Sequence, residues 1–95
     1  MTLDEFKKSL SEPRVPASLS QALRALWHEG KGDWNEAHEV AQEVGDPDGA
    51  WVHAYLHRKE GDISNADYWY NKARQTRPDI SLEKEWEQLI LQFLG

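Results

Sequence analysis

The chain has no cysteine, so neither a disulfide nor a thiolate metal ligand is available to it, which fits a reducing compartment. It has no apolar run approaching the ~18 residues of a membrane span, and its N-terminus, MTLDEFKKSL, lacks the apolar core of a signal peptide. No membrane partner is expected, and the expected location is cytoplasmic. No segment alternates polar and apolar residues with the period of a strand, which leaves an all-helical chain. Lysine and arginine are missing between Asp33 and Asp48, a stretch that holds Asp33, Glu36, Glu39, Glu43, Asp46 and Asp48. Such a surface repels phosphate backbones and excludes nucleic acid as a partner. It reads either as a solvated helix face or as a docking surface for a basic partner.

What is present suits one small core. In 95 residues, 39% are hydrophobic and five are Trp, enough to build a single all-helical domain over 1–95 without staples. Thr2 and Glu5 form a capping-box pattern ahead of a short helix carrying Leu3, Phe6 and Leu10. Pro13 and Pro16 make the following stretch extended. Ser18 with Gln21 opens a second helix to about Glu29, and Asp33 with Glu36 opens a third, carrying Trp34, Ala37, His38, Ala41 and Val44 on one side before a Gly45 cap. The spacing predicts a fourth helix from about Ala50 to Glu60 and a fifth from Asp62 or Ser64 to about Thr76. A sixth, over about 81–94, is capped by Ser81 and bears a stripe of Leu82, Trp86, Leu89, Ile90, Phe93 and Leu94. That stripe is too apolar to leave in water. It is expected to cover the open end of the second hairpin, or else to pair two copies, giving a monomer or a homodimer.

Gly32-Asp-Trp-Asn-Glu-Ala37 and Gly61-Asp-Ile-Ser-Asn-Ala66 align at a shift of 29 residues, and Ala25 and His28 pair with Ala54 and His57 at the same shift. Each copy reads as two helices joined by a Gly-Asp turn, at about 18–48 and 50–79, and one such hairpin cannot bury its apolar face alone. With Ala54, Gly61, Asp62, Ala66, Tyr70, Ala73 and Pro78 at its signature spacing, the second copy resembles the tetratricopeptide repeat (TPR). The resemblance implies two stacked TPR-like hairpins, with the last helix as a cap, and a protein or peptide partner. Two departures accompany it: the shift is shorter than the family's ~34 residues, and polar residues, among them His53, His57, Arg24 and His28, stand where the family has large apolar ones. The run WVHAYLHRKEGD to NADYWY also resembles a family of small bacterial proteins, a likeness that brings no activity with it.

For chemistry, His53 and His57 lie one turn apart on one helix face, a spacing that chelates a transition metal only when a third ligand joins. His38 or Glu39 is the candidate third, with Asp67 further along. The zinc-protease pattern is missing, because Ala54 occupies its glutamate position. There is no P-loop, no dinucleotide fingerprint and no nucleophile elbow, so no catalytic residue and no cofactor is expected. Two functions remain: a helical-repeat module binding a peptide or partner protein, and a small-ligand or metal-binding protein. For the second, His38, His53, His57 and Arg58 are expected to line one polar pocket beside Trp51 and Trp69, with His38, His53 and His57 as the metal ligands if there is a metal. The alternative for the same residues is a hydrogen-bonded helix seam.

Overall fold

A computed structural model describes all residues 1–95 and contains six helices and no strand: α1 (Leu3–Ser9), α2 (Gln21–Gly30), α3 (Trp34–Ala41), α4 (Asp48–Lys59), α5 (Ile63–Lys72) and α6 (Leu82–Leu94). The radius of gyration is 12.3 Å, close to the ~12 Å of a folded chain this long. No helix is long and apolar enough to cross a membrane.

Local chemistry sets most helix starts. At α1 the capping box is complete, with Thr2 N–H donating to Glu5 Oε1 at 2.8 Å and Glu5 N–H to Thr2 Oγ1 at 3.1 Å. Asp33, Asp62 and Ser81 each accept from the backbone N–H three residues on. At α2 the cap is Ser20 rather than Ser18, because Leu19 is buried and the helix begins only after it. Two helices end earlier than their apolar period predicts. α3 stops at Ala41 instead of running on to Val44, and Gly45 does not adopt a left-handed cap. α5 stops at Lys72 because Arg74 takes a left-handed conformation, φ 59°, that no helix can continue through.

α2 pairs with α3 and α4 pairs with α5 across short turns. The turns match: Gly32 and Gly61 have φ of 85° and 88°, and the next N–H, of Asp33 or Asp62, donates to the carbonyl of His28 or His57 at 2.9 and 3.0 Å. Small residues allow close approach, and Ala25, Ala37, Ala54 and Ala66 are all fully buried. α4 is the central element, with Gly49, Ala50 and the run Val52–His57 buried. Gly49 has no room for a side chain, since a Cβ there would sit 2.2 Å from the Val44 carbonyl oxygen.

α6 packs against α1, α2 and α4. It therefore lies across both helix pairs instead of capping the open end of the second. Trp86, Leu89 and Ile90 are buried there, and the Trp86 indole N–H donates to the Leu26 carbonyl at 3.0 Å. The main core joins these residues to Phe6, Leu23, Leu26, Trp27, Val52, Tyr55 and Leu56.

Candidate functional site

α4 carries His53 and His57 on the face turned toward α3 and α5, and there they meet His38 of α3. Ring centroids are 4.9 Å apart for His38–His53, 5.3 Å for His38–His57 and 6.2 Å for His53–His57. Two indoles close the cluster. Trp34 stacks on His38 at 4.9 Å with its own N–H donating to the Leu56 carbonyl at 2.8 Å, and Trp69 stacks on His53 at 4.5 Å. Lys72 lies 5.0 Å from the Trp69 ring and 3.9 Å from Asp46. His38, His53, Trp69 and Lys72, with Gln42 and Asp46, line a cavity of ≈ 440 Å³ between α3 and α5.

Only part of the imidazoles' hydrogen-bonding capacity is used. His53 Nδ1 contacts the Gly49 carbonyl at 3.0 Å, and a carbonyl only accepts, so the proton is on Nδ1 and Nε2 offers a lone pair. His57 Nδ1 donates in the same way to Glu60 Oε1 at 2.8 Å. No sealed side-chain nitrogen or oxygen in the protein lacks a partner, so the unpaired Nε2 atoms of His53 and His57 reach solvent. The His38 ring makes no hydrogen bond within the protein, although the backbone carbonyl of His38 accepts one from Gln42. Burial, reinforced by the neighbouring His57, holds His38 below the ordinary imidazole range. Burial does the same to His53, partly offset by its bond to Gly49. Both rings are therefore neutral at neutral pH.

Two expected members are elsewhere. Arg58 points away from the imidazoles, donating to Glu85 Oε1 at 2.8 Å and to the Ile80 carbonyl. Trp51 packs against Phe93 of α6, with centroids 6.0 Å apart. The reason is helical rotation: Arg58 is turned by about 100° from His57 and Trp51 by about 200° from His53, so neither shares the imidazole face. The three imidazoles also do not offer nitrogens within one 4.8 Å set; the donors that do lie that close belong to His57, Glu60 and Asp62.

Sequence reasoning missed several participants. Trp34 stands one turn before His38, and that spacing was the available signal. Gln42 and Lys72 had none. Glu29 and Glu85 are both buried: Glu29 accepts from Tyr55 at 3.4 Å and pairs with Lys59, and Glu85 accepts from Tyr70 at 2.6 Å and from Arg58. Burial and the Glu85 carboxylate together push the Tyr70 hydroxyl far above the ordinary phenol range. A larger cavity, ≈ 610 Å³, opens beside Glu29, Tyr55, Lys59 and Trp86. Its buried polar groups are already matched to one another, so the imidazole cleft, with lone pairs to spare, is the better candidate. No protein-family model, curated protein or solved structure matches this chain, and the site stands on its own geometry.

Proposed function

We propose that this chain is a small-ligand-binding protein whose site is the cleft between α3 and α5. The observation that carries the reading is the convergence of His38 and His53 on a ≈ 440 Å³ cavity, with the His53 Nε2 lone pair unclaimed by the protein. The volume lies in the range of small-molecule sites. Neutral imidazoles, the Gln42 amide and the Lys72 ammonium favour a small polar ligand that brings an N–H or O–H donor to His53. Trp69, stacked on His53, is a built-in reporter. The test is a titration of the native chain with a panel of small polar molecules and anions, followed by Trp emission and by the melting temperature. At least one member should shift both, and His53→Gln should abolish the shift. Silence across the panel would leave the cleft as a packed seam.

The two helix pairs fit stacked TPR-like hairpins, on the strength of their matched Gly-Asp turns and buried alanines. A peptide-binding role has one specific support, the exposed Glu36, Glu39 and Glu43 of α3 and its following turn, which complement a basic segment. The face of α2 and α4 is less suited to it, because α6 covers it with Trp86, Leu89 and Ile90. A basic peptide that binds at low salt and loses affinity as salt rises would favour this second role.

A further inference from the structure

The turn after α4 gathers donors that neither the cleft nor the fold fully employs. His57, Glu60 and Asp62 each present a ligand atom within 4.8 Å of the other two. We propose that these three residues bind a divalent first-row transition ion, Zn²⁺ being the chemistry that the donor set suits.

Four observations converge on this. The donors are one imidazole and two carboxylates, a mixture zinc accepts, and imidazole distinguishes the site from one for Ca²⁺ or Mg²⁺. A tetrahedral ion with bonds of ~2.1 Å sets its donors about 3.4 Å apart. Glu60 and Asp62 are exposed, so rotation of their side chains supplies the adjustment from the present spacing. The imidazole is held in place: the His57 residue is only 7% exposed, with the Trp34 and Trp69 rings 5.9 and 6.5 Å away. Its Nδ1 already faces Glu60 at 2.8 Å, where a proton now occupies the space between nitrogen and carboxylate.

The backbone under the donors is rigid as well. Gly61 at φ 88° and the Asp62 N–H bond to the His57 carbonyl at 3.0 Å fix the loop that brings residues 57, 60 and 62 together. The first helix pair provides an internal control. Its turn has the same glycine conformation, the same backbone bond and the same histidine and aspartate, as His28 and Asp33. Those two are therefore explained by the turn itself. At the position of Glu60, however, it has Lys31, whose ammonium donates to the Leu10 and Glu12 carbonyls. A lysine excludes a cation, so only the second turn is a chelator. Three protein donors leave the fourth position of a tetrahedral ion to water. The site does not depend on the cleft having a ligand.

The experiment is calorimetric titration of the metal-free full chain with Zn²⁺, and with Co²⁺ so that the visible spectrum reads the coordination number. One ion per chain should bind, with a four-coordinate Co²⁺ spectrum. Glu60→Gln and Asp62→Asn remove carboxylate charge at exposed positions, and asparagine still caps α5. Each should weaken Zn²⁺ binding about ten-fold or more, a scale that even outer-shell partners of a metal reach, with the far-ultraviolet dichroism unchanged. His53→Gln should leave the affinity as it was. No binding by the native chain would overturn the proposal. Binding that both carboxylate variants retain, or that His53→Gln abolishes, would overturn it too, the latter by moving the ion into the imidazole cleft.

Discussion

α4 has two polar faces, and they are built on opposite principles. Toward α6 and the end of α5, Arg58, Glu85 and Tyr70 form one closed group, and toward α2, Tyr55, Glu29 and Lys59 form another. Each buried charge there meets its opposite. Toward α3, His53 and His57 each satisfy one nitrogen and leave the other open, and His38 satisfies neither. A closed network contributes to defining one structure and has nothing left to offer a ligand. An open one tolerates desolvation where its rings stay neutral, as His38 and His53 do, and it keeps lone pairs at the surface. The difference separates two sets of buried polar residues, on one helix, into scaffold and candidate site.

Several changes would break or sharpen that contrast. The largest effect should come from ending the chain before Ser81, which removes Glu85 and uncovers the core that Trp86, Leu89 and Ile90 close. Circular dichroism and calorimetry should then find no cooperative transition; a soluble, cooperatively melting fragment would mean that α6 is dispensable. Next is Glu85→Ala, which strands the Arg58 guanidinium and the Tyr70 hydroxyl in a buried setting. Urea denaturation should show a loss of roughly 3 kcal/mol, and a loss below ~1 kcal/mol would deny the closed network its structural role. Gly61→Val forces a β-branched residue into φ 88° and should cost about 2 kcal/mol. An unchanged melting temperature would contradict the tight turn.

The smallest of these effects should come from pH and should touch the open face. His38 and His53 titrate from 6.5 in the unfolded chain and from lower values when folded. As pH falls, protons bind the unfolded state first. The stability these rings allow is complete above about pH 6.5 and declines below it, until the folded rings protonate as well. His57 opposes the charge on both rings, while Glu39 and Glu60 beside His38 and Asp46 beside His53 partly offset it. The melting temperature should therefore fall between about pH 7 and about pH 5.5. A flat profile over that interval would show that the imidazoles are no more buried than in the open chain.

Caps and turns were legible in the sequence because their chemistry spans three residues: Thr2, Asp33, Asp62 and Ser81 announce themselves by type and spacing. The meeting of His53 and His57 with His38 followed from periodicity in the same way. Arg58 and Trp51 lie off the imidazole face because one and two residues along a helix turn a side chain by about 100° and 200°. Glu29 and Glu85 gave no signal, since what permits their burial, Lys59 and Tyr55 for one and Arg58 and Tyr70 for the other, is assembled only by the tertiary fold. The α2 cap was off by a turn's fraction for a related reason: two serines flank Leu19, and only its burial chooses between them.

The unequal burial of the helices has a kinetic consequence. α4 is enclosed along most of its length, whereas α3 buries only Ala37 and Ala41 and α5 only Ala66 and Tyr70. Local opening draws on the elements with least buried surface, so amide hydrogens of α3 and α5 should exchange with solvent well before those of α4. The cleft thus has yielding walls over an unyielding floor: Trp34, His38 and Trp69 can adjust to a guest while His53 and His57 stay where α4 holds them.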